Sequence, residues 1–323
     1  MPDSLACRIC GGVEGNSVYV ARERMQGTDD EFNYLRCGTC GCQQIVEVPD
    51  DLGKYYPSDY YSFSDQGTGG LRETVTKLRD RSYFERTIPA VAGRLVASAL
   101  PNPKLAAIAR IRPRRAARIL DVGCGSGELL KELREVGYTN LAGVDPFVPS
   151  DLHLPGGITI RKTSMEDLGD ESYDVIMLHH VFEHLADPRG SMRTIARLLA
   201  EDGVCVIRIP LAHSWASQHY GPLWMQHDAP RHLFLHTEKS MAHIAAEAGL
   251  DIVDKVYDSS EAQIWGSELY KQNISLLSVP RNVYGNPIRR LLSPRFIRYR
   301  AMTRRLNREG LGDQAAFYLR RSR

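Results

Sequence analysis

The sequence predicts an α/β fold: a mostly parallel sheet of seven strands with helices on both faces, preceded by a small cysteine-bearing module. Three observations lead there. From Arg118 onward, short apolar runs alternate with helix-spaced patterns, as in successive βα units. At "ILDVGCGSGELL" an apolar run ends in an acid, turns on Gly123, Gly125 and Gly127, and becomes helical. Near the N-terminus, Cys7 and Cys10 form one C-x-x-C pair and Cys37 and Cys40 another.

Three regions follow in order. Residues 1–48 are the cysteine module. Each C-x-x-C places two thiolates on one knuckle, and two knuckles complete a tetrahedral zinc site with no open position. The expected ligands are Cys7, Cys10, Cys37 and Cys40, with Cys42 spare, and the expected role is structural. Residues 49–117 are a connector or lid. It opens on the tyrosine-rich "KYYPSDYYSF", passes a loop at "DQGTGG", and shows helical spacing at Leu71, Val75 and Leu78 before Pro101 and Pro103 break it. Residues 118–323 hold the sheet. Its expected strands are 118–122, 141–145, 158–162, 173–179, 203–209, 251–257 and 315–320. Helix 187–200 starts at the N-cap Asp187 with Pro188 in the first turn. Helix 238–248 is capped by Thr237 and stopped by Gly249.

Bulk composition bounds the function. The chain has 323 residues, 43% hydrophobic and 25% charged, an ordinary globular balance. "MPDSLACRIC" lacks the basic-then-apolar pattern of a signal peptide. No run reaches the ~18 apolar residues of a membrane span. The cysteine usage suits a reducing, cytoplasmic setting. From Arg281 onward there are twelve arginines, no lysine, and only Glu309 and Asp313 as acids. This basic tail reads as a packed helical face, or as a contact for nucleic acid or an anionic membrane surface.

The glycine loop carries the chemistry. Its G-x-G-x-G spacing differs from the G-x-G-x-x-G of dinucleotide sites, and no Lys-Ser/Thr pair follows as in a P-loop. The next strand ends in Asp145, placed to accept hydrogen bonds from the two hydroxyls of a ribose. Asp121 stands at the strand end before the loop. A carboxylate there repels a pyrophosphate and attracts an ammonium or sulfonium. Adenosine, ribose, ammonium and sulfonium together describe S-adenosylmethionine.

"ILDVGCGSGELL", "GVDP", "SMEDL" and "YDVIMLHHVFEHLADP", in that order, resemble the motifs of class I S-adenosylmethionine-dependent methyltransferases, over residues 118 to about 260. The resemblance implies a Rossmann-like domain. It implies that Asp121, Gly123, Gly125 and Gly127 surround the methionine moiety and that Asp145 holds the ribose. Met165 and Glu166 fall at the adenine segment, with Glu166 or Asp167 also a candidate for the amino group, and His179 would face the cofactor. "D.PRHL" and the neighbouring "YYPSDYYSF" and "WGSELY" are similar to bacterial methyltransferases of surface polysaccharides and glycosylated metabolites. A nucleotide- or lipid-linked sugar is therefore the expected acceptor.

Methyl transfer is an in-line displacement at an activated sulfonium, so the protein chiefly aligns donor and acceptor. A base is needed where the acceptor holds its proton tightly, and histidine suits that task near neutral pH. His180 is the expected base, with Glu183 orienting it and His232 as a second candidate. Tyr61, Trp224, Asp228 and Arg231 combine aromatic faces, a carboxylate and a guanidinium, a mixture suited to a polar acceptor. Whether a second metal sits near His180, Glu183, His184 and His232 stays open. Two other functions fit the same residues: an RNA methyltransferase held by the zinc module and arginine tail, and a noncatalytic scaffold.

Overall fold

The computed structural model describes residues 5–56, 71–85, 88–279 and 293–322. Tyr61 and most of the tyrosine-rich segment lie outside the described residues.

Three short strands open the chain: β1 (Ser17–Arg22), β2 (Glu31–Arg36) and β3 (Gln43–Ile45). The connector forms α1 (Leu71–Phe84), α2 (Ile88–Ala99) and α3 (Pro103–Ile111). The break between the last two lies where the prolines predict it. Pro103 takes the first turn of α3, and Asn102 caps it by accepting from the Leu105 amide.

The sheet then builds in order: β4 (Arg118–Val122), α4 (Glu128–Glu135), β5 (Asn140–Val144), β6 (Leu152–Leu154), β7 (Ile158–Arg161) and β8 (Tyr173–His179). It continues with α5 (Pro188–Leu198), β9 (Leu199–Pro210), α6 (Trp215–Tyr220), β10 (Phe234–Leu235) and α7 (Glu238–Glu247). The chain closes with β11 (Leu250–Tyr257), α8 (Ala262–Lys271), α9 (Pro294–Arg308) and β12 (Gln314–Arg321). Asp187 caps α5 and Thr237 caps α7, the latter in a capping box with Ser240.

The large sheet has eight strands in the order β11-β12-β9-β8-β4-β5-β7-β6, one more than the seven expected. The extra strand is β6, which folds back antiparallel on β7 and is too short to carry a periodic signal. From β9 to β7 the sheet is parallel, and β12 and β11 add antiparallel at the far edge. The two faces bury separate cores. Leu120, Ile176 and Ile207 pack with Ile195 and Ile244 on one side; Ile119, Met177 and Val206 pack with Ile108 and Leu130 on the other. Chain order reverses between β4 and β8, so their carboxyl ends flank the crevice where open α/β sheets take ligands.

The N-terminal module is completed by a strand from later in the chain. Its four-stranded sheet runs β1-β2-β3-β10, with the last strand supplied from beyond β9. Thr237 donates to the Cys40 carbonyl at 2.6 Å and Tyr34 to the His232 carbonyl at 2.9 Å. One hydrophobic cluster joins Ile9 and Tyr34 to Leu120 and Val122 of the large sheet. Among the described residues, no helix is long and apolar enough to cross a membrane.

Candidate functional site

The glycine loop requires its glycines. Gly123, Gly125 and Gly127 have φ of 68°, 53° and 78°, a region that disfavours any side chain. A Cβ on Gly123 would stand 2.5 Å from Val181, and one on Gly127 would stand 2.6 Å from Ile160. The loop after β4 thus lies directly against the turn after β8.

Two carboxylates frame it. Asp145 is 6% exposed. One of its oxygens accepts from the Gly125 amide at 2.9 Å and the other from the Phe147 amide at 2.8 Å. Each oxygen keeps a lone pair, so the carboxylate both ties down the loop and can accept from a diol. Asp121 is buried, and burial pushes its carboxyl up to about 7, with Lys104 opposing and Asp145 adding to the rise. Near neutral pH it is poised to ionise beside an arriving cation. Two further groups are buried without partners among the described residues: both ring nitrogens of His179 and the Ser126 hydroxyl. Unpaired buried polar atoms beside a glycine cradle fit a bound polar ligand. Glu166, the candidate for the amino group, accepts from Ser191 of α5 at 2.8 Å through one carboxylate oxygen. Met165 is 2% exposed and packs in the core.

The turn after β8 holds a polar network. His180 has φ of 58°, an uncommon conformation for a non-glycine residue. Arg208 of β9 donates to its Nε2 at 2.8 Å, and its Nδ1 donates to Glu183 Oε1 at 3.1 Å. Arginine has only donors, so the tautomer is fixed with the proton on Nδ1. Both ring nitrogens of His180, the expected base, are therefore engaged by protein partners. Burial, with the Arg208 charge adding to it, lowers the His180 pKa despite Glu183. Burial would raise Glu183, but the His180 hydrogen bond and the neighbouring His184 and His232 rings bring it to about 2. His232 is pushed down to about 4 by burial. Its Nδ1 donates to the Gln226 carbonyl at 2.8 Å, leaving Nε2 bare at 3.6 Å from Asp228 and 3.9 Å from Glu183.

Trp224, Asp228 and Arg231, expected to bind the acceptor, have partners within the protein. Trp224 is fully buried and donates to Asp313 at 3.1 Å, packed with Ala216 and Leu235. Arg231 is 1% exposed; its guanidinium pairs with Asp228 and donates to the Tyr55 carbonyl at 3.1 Å. No stacking face or free fork remains for an acceptor. Trp224→Ala should accordingly destabilise the fold by about 3–5 kcal/mol, as deletion of a buried aromatic does. Urea denaturation measures it, and affinity for S-adenosylhomocysteine should stay within about twofold, since packing far from the loop is what is lost. A stable variant that loses turnover would return Trp224 to the acceptor site.

Arg208 was missed at the sequence level. The available signal was an arginine inside the apolar strand "CVIRIPL". It also pairs with Asp258 at 2.6 Å, and both line a cavity of about 1150 Å³. Ala106 of α3 and Ala316 and Tyr318 of β12 form part of its apolar wall, with Arg304 and Asn307 of α9 opposite.

The cysteines converge. Cys7 and Cys40 sulfurs are 3.7 Å apart, Cys10 and Cys37 sulfurs 3.6 Å, and all four lie within 4.8 Å of one another. Four thiolates about 2.3 Å from a tetrahedral zinc stand roughly 3.8 Å apart. Each knuckle closes on a left-handed glycine, Gly11 or Gly41. The hydrogen bond shared with Cys40 draws the Cys7 thiol down to about 5 against burial, and pushes Cys40 up. Cys42 is buried and turns to the Gln43 carbonyl, outside the four.

A family model described as a methyltransferase domain matches residues 92–255. Among curated proteins, a ubiquinone biosynthesis O-methyltransferase of Azorhizobium caulinodans is 32% identical over 106 residues, covering 30% of this chain and 42% of that protein. A protein of the same description from Cereibacter sphaeroides is 29% identical over 187 residues, 53% of this chain and 75% of that one. The chain thus spans less than half the length of the first of these relatives. Among solved structures, a SAM dependent methyltransferase from Archaeoglobus fulgidus aligns at 19% identity with a TM-score of 0.42, covering 70% of this chain and 97% of that one.

Proposed function

The chain belongs to the family of methyltransferase domains, enzymes of S-adenosylmethionine-dependent methyl transfer, and from that premise we propose that it methylates an oxygen atom of a small-molecule acceptor. The observation that carries the cofactor reading is the cradle itself. Two glycines that tolerate no Cβ, a ribose-competent Asp145 locked by two amides, and a buried Asp121 suit an adenosyl donor with positive charge. In this reading Asp145 holds the ribose, Asp121 faces the ammonium or sulfonium, and the unpartnered His179 ring meets the cofactor. His180 acts as a positioning residue: it fixes Glu183 and is itself fixed by Arg208.

Support for oxygen as the methylated atom comes from the names of the curated relatives, both O-methyltransferases. The cavity lined by Arg208 and Asp258 offers room for a small acceptor. A nucleotide- or lipid-linked sugar loses the support that Trp224, Asp228 and Arg231 were expected to give it, since all three are committed inside the protein. We also infer that Cys7, Cys10, Cys37 and Cys40 hold a structural zinc. The paired sulfur distances support it, and four thiolates leave no coordination position for catalysis.

The test is transfer of label from radiolabelled S-adenosylmethionine to hydroxylated aromatics, nucleotide-linked sugars, lipid-linked sugars and RNA, assayed side by side. Label in an O-methyl product of a small molecule supports the reading. Label only in RNA, lost as salt rises, overturns the acceptor class. No S-adenosylhomocysteine formed with any of them overturns the enzyme reading.

A further inference from the structure

We propose that Glu183, His184 and His232 form a second metal site, distinct from the cysteine cluster, that binds one divalent cation of the zinc, manganese or iron class. A ligand atom from each of the three lies within 4.8 Å of the other two. Glu183 is fully buried, and its Oε2 has no partner among the described residues. A buried carboxylate oxygen left unpaired is costly, and in a native fold it calls for a missing partner.

The two imidazoles are set up to be that partner's other ligands. His232 Nδ1 donates to the Gln226 carbonyl at 2.8 Å, and His184 Nδ1 donates to the Arg231 carbonyl, also at 2.8 Å. Each ring is thereby locked as the tautomer that presents a bare Nε2. Metal-binding histidines are oriented in just this manner, with the second nitrogen donating to a carbonyl or carboxylate. The rings meet edge to face, 4.7 Å between centroids.

Among the described residues, the nearby arginines are committed elsewhere. Arg231 is committed to Asp228 and the Tyr55 carbonyl, and Arg208 to Asp258 and His180. The result is a buried carboxylate, one oxygen held by His180 and the other without a partner among the described residues, facing two imidazole acceptors. Two nitrogens and an oxygen suit zinc, manganese or iron, whereas the four thiolates suit zinc. With metal bonds of roughly 2.0–2.2 Å, ligand atoms stand ~3–4.3 Å apart. His232 Nε2 stands 3.9 Å from Glu183 Oε1, the carboxylate oxygen shared with His180, within that range.

Three protein ligands leave coordination open. The catalytic consequence rests on the methyl-transfer reading, though the binding itself does not. A cation held there would acidify an acceptor hydroxyl on the open position, which would pass its proton to water near neutral pH. Its oxygen then forms the O–CH3 bond as the S–CH3 bond of the sulfonium breaks, and that bond's electron pair returns to sulfur. The metal thus takes over the task for which His180 has no free nitrogen.

Manganese distinguishes the two sites, because thiolates do not favour it. The purified full chain, dialysed against mild chelator, is titrated with Mn²⁺ and followed by electron paramagnetic resonance. S-adenosylhomocysteine affinity is read on the same samples. The expected result is one Mn²⁺ per chain, weakened at least tenfold in both His184→Gln and His232→Gln, with S-adenosylhomocysteine affinity retained as evidence that each variant folds. Absence of Mn²⁺ binding by the wild-type chain, together with zinc content never exceeding one per chain, overturns the site, as does Mn²⁺ binding unchanged in both variants. Failure of the methyl-transfer reading is separate: Mn²⁺ binds and S-adenosylhomocysteine does not.

Discussion

Asp145→Ala should lower affinity for S-adenosylmethionine by at least ~100-fold while leaving the protein folded. The carboxylate accepts from the Gly125 and Phe147 amides and keeps one lone pair per oxygen for the two ribose hydroxyls. Hydrogen bonds to a charged group are worth about 1.5–3 kcal/mol each. Losing both ribose bonds therefore costs roughly 3–6 kcal/mol, and release of the Gly125 amide adds disorder in the loop. Isothermal calorimetry measures it, and circular dichroism checks the fold. A loss under about threefold would mean that no ribose sits on Asp145.

Cys37→Ser should abolish stoichiometric zinc and lower the melting temperature by about 10 °C or more. Structural zinc sites of this kind carry about 10–16 kcal/mol of apparent binding free energy, and part of that is folding energy here. The module has little core of its own. Val18 and Val20 of β1 are 51% and 47% exposed, and the cysteines form much of the packing around Ile9 and Tyr34. The damage should spread, because β10 and the Thr237 bond to Cys40 connect the module to the segment holding His232. Zinc analysis and differential scanning calorimetry together decide it. Unchanged zinc and an unchanged transition would remove the metal from the module.

What the sequence revealed was local. The glycine loop, the strands β4, β5 and β8, and the caps at Asp187 and Thr237 each depend on residues within a few positions of one another. So do the two cysteine knuckles. What it hid depends on distant partners. Trp224 reads as a ligand-stacking aromatic until Asp313, just before β12, accepts from its indole. Arg231 reads as a phosphate fork until Asp228 and the Tyr55 carbonyl occupy it. His180 reads as a free base until Arg208, 28 residues away, covers its Nε2. The strand that a later segment adds to the N-terminal sheet is hidden for the same reason, since the two-residue strand β10 is defined only by its pairing with β3. Polar residues in a short motif announce that a site is near; which of them face a ligand is settled by what the rest of the chain brings alongside.

The central claim is electrostatic: a buried carboxyl at Asp121 accepts a cationic donor. Its folded pKa, raised from 3.8 to about 7, means that the folded protein holds this proton more tightly than the unfolded chain does. Asp121 therefore detracts increasingly from stability as pH climbs through that window, and a bound positive charge offsets the loss. Binding of the cation favours the ionised form, so affinity should rise with pH up to about 7 and level off above it. The direct measurement is calorimetric titration of S-adenosylmethionine and of NAD at pH 6 and pH 8. The account predicts that S-adenosylmethionine binds at both, more tightly by up to about tenfold at pH 8 and with proton release at pH 6, while NAD gives no heat. Tight NAD binding with no heat from S-adenosylmethionine would contradict it.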